Sequence, residues 1–257
     1  MNQKLAEKII NTIAKNWKNN SNTLPWLKAC VESDKKSYVP ESAIIAIARG
    51  WHDKPDTFSF IKQFARSDND SNLRITAIRG LANRWHDESE TLSIIKQCAQ
   101  HDNNIYVKSI AIRELANRWH DESETLSIIK QYAQDDNDSF FRATAIRELA
   151  QGWHDEPETF SLIKQYAQSD DRTDVKIIAI RKLAQGWHDE PETFSLIKQI
   201  AQSDDNWYVR ITAIRELYKG WHDEPETFSL IKQIAQSEDD WDVRMTANSE
   251  LAKGWHS

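Results

Sequence analysis

No run of about 18 apolar residues occurs in this sequence of 257 residues, so no segment reads as a membrane-spanning helix. The opening stretch MNQKLAEKIINTIAKNW lacks the uninterrupted apolar core and the small-residue cleavage site of a secretory signal. A cytoplasmic protein with no membrane partner is expected. Cysteine is nearly missing as well, with Cys30 and Cys98 alone. The two occupy the same position in segments that are not neighbours, and helices stacked about 8–10 Å apart would hold them roughly 20 Å from each other. A disulfide cannot span that gap, and a reducing compartment is the simpler reading. An excess of positive charge is also lacking. The formal net charge of −7 disfavours a dedicated polyanion binder, although it does not exclude a local basic strip.

What the sequence does have is tryptophan at a fixed spacing. Trp17, Trp51, Trp85, Trp119, Trp153, Trp187, Trp221 and Trp255 are each 34 residues from the next, with no insertion or deletion between them. A period of this length marks stacked supersecondary units. It predicts one elongated domain over 1–257, made of a leading half unit (2–17) and seven units: 18–51, 52–85, 86–119, 120–153, 154–187, 188–221 and 222–255. A catalyst seldom needs seven copies of one segment, whereas an extended surface does.

Each unit reads as two helices. In the sixth, DEPE at 189–192 has the form of a capping box, with Asp189 accepting from the backbone, Glu192 reaching back and Pro191 tolerated in the first turn. A first helix follows through TFSLIKQIAQ, with Phe194, Ile197 and Ala201 on one face beside Leu196 and Ile200. SDDN then ends that helix and supplies the next N-cap. The second helix, from about Trp207 to Lys219, carries Val209, Ala213, Leu217 and Trp221 at steps of four, with Ile214 alongside. Two short helices, each apolar on one side, can bury that side only against neighbouring copies.

The recurrent aromatic and imidazole groups read as structural. A large ring at the end of each second helix fills the junction between units, and rings one repeat apart cannot converge into a cage. His52, His86, His120, His154, His188, His222 and His256 follow the tryptophans. At about 10 Å apart they cannot share a metal, so a turn role is expected and no metal or cofactor. The leading helix keeps a second-helix stripe, Leu5, Ile9, Ile13 and Trp17, and should cap the first unit. The last helix keeps Val243, Ala247, Leu251 and Trp255 but places Asn248 and Ser249 where others have isoleucine and arginine. That polar outer face suits a terminal repeat, with Ser257 expected near a natural C-terminus.

The second-helix text DNWYVRITAIREL (205–217) and EDDWDVRMTANSEL (238–251) resembles the Asp-x-x-x-Val-Arg-x-x-Ala-x-x-x-Leu signature of HEAT-like repeats. The resemblance implies an all-α fold, a right-handed α-solenoid of the armadillo-like superfamily with seven 34-residue two-helix repeats and an N-terminal half-repeat helix. The tetratricopeptide repeat shares the period, but its glycine-tyrosine signature is absent. More narrowly, LPWLK (24–28) with ARGWHD and AQGWHDEPET is similar to arrays at the C-terminal ends of bacterial NACHT/STAND NTPases, which implies a sensor in defence against phage. No Gly-x-x-x-x-Gly-Lys-Ser/Thr loop occurs in these residues, so an NTPase would lie upstream or be absent.

Opposite the buried stripe of the sixth unit stand Tyr208, Ile211, Thr212, Arg215 and Lys219, expected to line a concave side. The units differ most here. The first position reads Tyr38, Asn72, Tyr106, Phe140, Asp174, Tyr208 and Asp242, and the one before it Ser37, Ser71, Ile105, Ser139, Thr173, Trp207 and Trp241. Specificity written on one face would give this pattern, and so would drift. Through it runs a regular row, Arg79, Arg113, Arg147, Arg181 and Arg215. With Tyr106, Phe140, Tyr208, Trp207 and Trp241 these form the candidate ligand-binding residues, able to grip carboxylate, phosphate or peptide backbone. The alternative is that the arginines pair with Glu114, Glu148 and Glu216 on the same helices. A second basic row, Arg74, Lys108, Arg142, Lys176, Arg210 and Arg244, is expected to pair with the turn aspartates Asp68, Asp102, Asp136, Asp170 and Asp204 as a ladder between repeats.

The expected function is therefore a non-catalytic scaffold for a protein or peptide ligand. Nucleic-acid binding is the second reading, because HEAT-like DNA glycosylases carry DNA on a basic concave face. A third resemblance, to phycobiliprotein lyases, implies bilin transfer. Carboxylates and histidines recur once per unit without forming a pair that any one unit alone possesses, which disfavours an enzyme.

Overall fold

The computed structural model describes residues 3–33, 38–67, 69–134 and 138–254. Ser37, Asp68, Asp136, Trp255, His256 and Ser257, named above, lie outside the described residues. Among the described residues there are fifteen helices and no strand: α1 (Gln3–Asn16), α2 (Thr23–Val31), α3 (Val39–Gly50), α4 (Pro55–Ser67), α5 (Ser71–Arg84), α6 (Ser89–His101), α7 (Ile105–Arg118), α8 (Ser123–Gln134), α9 (Ser139–Gly152), α10 (Pro157–Ser169), α11 (Thr173–Gly186), α12 (Pro191–Ser203), α13 (Trp207–Trp221), α14 (Pro225–Ser237) and α15 (Trp241–Ala252). None is long and apolar enough to cross a membrane. The fold is an all-α solenoid of two-helix repeats.

Contacts divide the chain into two compact units, Met1–Ile128 and Ile129–Ser257. In the first, α2 packs on α3, α4 on α5 and α6 on α7, while α1, α3, α5 and α7 pack in a row. In the second, α10 packs on α11, α12 on α13 and α14 on α15, and α9, α11, α13 and α15 form the row. Within each unit, neighbouring second helices meet far more closely than neighbouring first helices, so the second-helix layer is the inner one.

The repeating stripe builds the core. Val209, Ala213, Ile214, Leu217 and Trp221 are all buried, as are their equivalents Val175, Ala179, Ile180, Leu183 and Trp187. Each valine, leucine or isoleucine of this stripe contributes roughly 1.5–3 kcal/mol on burial. Trp51, Trp85, Trp119, Trp153, Trp187 and Trp221 are buried. In the first unit Trp85 Nε1 donates to the His52 carbonyl at 3.1 Å. Position 98 makes a similar link between repeats: the Cys98 thiol reaches the Ala65 carbonyl at 3.6 Å, and in the second unit Tyr166 Oη donates to the Ala133 carbonyl at 2.5 Å. Cys30 and Cys98 are both free, and burial pushes the Cys98 thiol up to about 11.

Three local expectations are corrected. The capping box at 189–192 does not form. Glu190 is the N-cap of α12, without a side-chain bond, and the turn closes through Thr193 N to the Glu190 carbonyl at 2.9 Å. Asp189 is taken by His188 Nδ1 at 3.0 Å, and Glu192 by Lys164 of the preceding repeat at 2.5 Å, a cation that outcompetes a neutral amide for the carboxylate. Second, the leading helix buries Ala6 and Ile10, while Leu5, Ile9 and Trp17 are exposed, Trp17 at 61%. In the other repeats the first helix of the same repeat covers that face, whereas α1 packs on α3. Third, Ile211 and Thr212 are buried rather than open, because the inner layer is dense enough to cover them.

Second helices start as expected. The Asn206 side chain accepts from the Tyr208 and Val209 amides, and Asn104 does the same for Tyr106 and Val107. Asn248 and Ser249 on α15 are exposed.

Candidate functional site

Two ladders of charge tie successive repeats together within each unit. The inner one joins second helices to the following interhelical turn. Arg74 grips Asp102 in a bidentate pair, Nε to Oδ2 and Nη2 to Oδ1 both at 2.9 Å, with both side chains near 10% exposed. In the second unit Arg142 meets Asp170 at 3.4 Å, Lys176 meets Asp204 at 2.7 Å and Arg210 pairs with Glu238. The outer ladder joins first helices: Lys62 to Glu90 at 2.9 Å and Lys96 to Glu124 at 2.5 Å in the first unit, Lys164 to Glu192 at 2.5 Å in the second. Lys28 with Asp56, Lys130 with Glu158 and Lys198 with Glu226 continue it. These cations are committed to the frame.

The histidines belong to the frame as well. In the second unit His154 stacks on Trp187, centroids 4.5 Å apart and 11° between planes, and His188 on Trp221 at 4.7 Å and 10°. Their Nε2 atoms lie 2.5 and 2.6 Å from the carbonyls of Gly186 and Gly220. The Asp155 carboxylate, then the Gly186 carbonyl, raise the pKa of His154. For His188 the Gly220 carbonyl comes first and Asp189 second.

The candidate arginines lie on the outward side of the second helices. Arg79 and Arg113 in the first unit, and Arg147, Arg181 and Arg215 in the second, are all exposed. Of the glutamates on the same helices, Glu114 pairs with Arg118 Nε at 3.1 Å and Glu216 with Lys219 at 2.7 Å, while Arg113 and Glu148 each have a partner of their own. The candidate aromatics are exposed too: Tyr106 in the first unit, and Phe140, Trp207, Tyr208 and Trp241 in the second. At the end of the second unit Trp207 and Tyr208 contact edge to face at 5.4 Å. With Arg215, Asp242 and Glu250 they line a groove of about 310 Å³ between α13 and α15. Trp241 is outside that lining.

Sequence reasoning missed a second groove, of about 430 Å³, between α3 and α5 in the first unit. It is lined by Arg49, Arg79 and Arg84 with Thr76, Gly80 and Asn83, and no carboxylate is part of its wall. The signal was available at two departures from the repeat, glycine at 80 and arginine at 84. Among the described residues, no group of three or more His, Cys, Asp or Glu side chains could hold a metal ion.

Stacked two-helix repeats held by buried stripes and charge ladders define an α-solenoid with open second-helix faces. The chain belongs to the HEAT repeats family, which matches residues 24–116, 58–150, 92–184 and 160–252. Among solved structures it is similar to the X-ray structure of YibA from Escherichia coli, a structural-genomics target, at 16% identity and a TM-score of 0.54 over 94% of this chain and 86% of that one. A computationally designed self-assembling cyclic homooligomer also aligns, at 16% identity over 98% of this chain and 83% of that one, but its TM-score of 0.14 carries no argument. No curated protein matches the sequence.

Proposed function

We propose that the chain is a non-catalytic recognition scaffold that takes a protein or peptide ligand on the exposed faces of its second helices. One observation carries this reading. Where the repeats diverge in sequence, at Tyr106 in the first unit and at Phe140, Trp207, Tyr208 and Trp241 in the second, large aromatic rings face solvent, on the same helix layer as a row of exposed arginines. Exposed aromatics and arginines are the residue types that anchor protein interfaces. The resemblance to arrays of NACHT/STAND NTPases supports a sensor role in defence against phage, the ligand then being a phage or host protein. The test is affinity capture with wild-type bait and with Arg113, Arg147 and Arg181 replaced by alanine, followed by affinity measurement on each captured protein. Loss of about tenfold or more in affinity supports the arginine row, and identical partner sets with unchanged affinity remove it from the account. A salt-dependent shift of duplex DNA, absent from the triple variant, would favour nucleic acid instead.

A further inference from the structure

The groove between α3 and α5 gathers three guanidinium groups that nothing in the frame uses. Among the described residues, no side-chain hydrogen bond or ion pair engages Arg49, Arg79 or Arg84, and all three are exposed. Two exchanges make the groove. At the position of Gly80 four repeats carry glutamate, Glu114, Glu148, Glu216 and Glu250. At the position of Arg84 five carry glycine, Gly50, Gly152, Gly186, Gly220 and Gly254. Where a cation follows the glutamate by one turn, the two pair: Glu114 with Arg118 at 3.1 Å, Glu216 with Lys219 at 2.7 Å and Glu250 with Lys253 at 2.6 Å. Gly80 removes that carboxylate and leaves Arg84 open. The Asn83 side chain in the groove wall accepts from Arg118 through its Oδ1, and that arginine is already paired with Glu114.

We propose that this groove binds a single phosphoryl group carried by a partner protein or peptide. Three uncompensated positive charges in one groove repel one another, and a dianion with three acceptor oxygens relieves that repulsion while accepting forked hydrogen bonds. A carboxylate brings one charge and two oxygens. A nucleic acid needs cations spaced along a track, whereas Glu114 occupies the position of Gly80 one repeat on and the chain carries a net charge of −7. The charge is therefore a point rather than a track. The site shares only Arg79 with the scaffold face, so failure of the Arg113, Arg147 and Arg181 variant to change partner binding would leave it intact.

The test uses the whole chain and three probes: inorganic pyrophosphate, a short peptide bearing one phosphoserine, and the same peptide unphosphorylated. Binding is read by calorimetry and by the arginine Nε–H signals in ¹⁵N NMR. The phosphopeptide should bind at least about tenfold more tightly than its twin and should move the signals of Arg49, Arg79 and Arg84. Gly80→Glu supplies the carboxylate found in other repeats without removing an arginine. It should pair with Arg84 as Glu114 pairs with Arg118 and abolish the preference. Gly80→Ala is the control: an added Cβ would lie 3.6 Å from the Ala48 Cβ, an ordinary contact, and the preference should survive. Equal binding of the two peptides, or a preference undiminished in a folded Gly80→Glu protein, overturns the proposal. So does duplex DNA binding that Gly80→Glu removes, because that would make the groove part of a polyanion track.

Discussion

The two units use one frame for different ends, and positions 80 and 84 of the first against 216 and 220 of the second display the difference. In the second unit Glu216 is buried and neutralises Lys219, while the Gly220 carbonyl accepts from His188, whose ring covers Trp221. The junction is closed. In the first unit the same positions are Gly80 and Arg84, and the result is an open basic groove. The tryptophan stripe and the ladders are kept in both, so local chemistry can be exchanged without touching what holds the repeats together.

The largest expected effect concerns the ladders. Asp102→Ala leaves Arg74 buried without its bidentate partner and should destabilise the first unit by about 3–5 kcal/mol. Asp204→Ala in the second unit frees a single, more exposed lysine and should cost clearly less. Native-state hydrogen exchange, read unit by unit, separates the two. Equal losses would mean that the bidentate geometry contributes nothing special.

A smaller effect follows from grafting the first unit's residue onto the second. Gly220→Arg brings a Cβ to within 3.2 Å of His188 Cδ2 and should push the imidazole off Trp221, costing about 1 kcal/mol and quenching or shifting the tryptophan fluorescence. The same stacks make the second unit sensitive to pH. His154 and His188 have folded pKa values raised above the ordinary value of about 6.5, so their contribution is complete below that value and is lost as pH rises through the folded pKa. Thermal unfolding of the second unit should therefore move down as pH rises above about 6.5. The His154→Phe, His188→Phe double variant should flatten that slope while keeping ring contact.

The smallest effect should not distinguish the units at all. Thr57 and Thr91 in the first, and Thr159, Thr193 and Thr227 in the second, are fully buried, and no protein group bonds their hydroxyls. Thr91→Val and Thr193→Val should each be neutral or stabilising by up to about 1 kcal/mol by chemical denaturation. A difference between them would show that the frames are not equivalent.

The frame was legible because its signals are local and repeated. Val209, Ala213, Leu217 and Trp221 declare one helix face, and the pairing of Arg74 with Asp102 and of Lys176 with Asp204 follows from a cation near each helix start and an acid in each turn. The outer ladder was not legible. Lys164 and Glu192 are 28 residues apart, and no local pattern announces their meeting. That pair also explains the missed cap, since Glu192 reads as a capping residue until a lysine from the preceding repeat is set beside it. The leading helix misled for a related reason: Leu5 and Ile9 match a buried stripe, but the contact of α1 with α3 buries Ala6 and Ile10 instead. The candidate arginines and aromatics were legible as exposed positions, whereas the basic groove required seeing which side chains the frame had already used.

The central claim is that binding chemistry is written at exchangeable positions over a constant frame. Its most direct test is to write the first unit's groove into the second, as Q185R/E216G/G220R, and to titrate the folded protein with pyrophosphate alongside wild type. The account predicts a new set of arginine Nε–H shifts at Arg181, Arg215 and the introduced residues, with the stacked repeats retained by circular dichroism. A folded variant whose second unit shows no shift would contradict it.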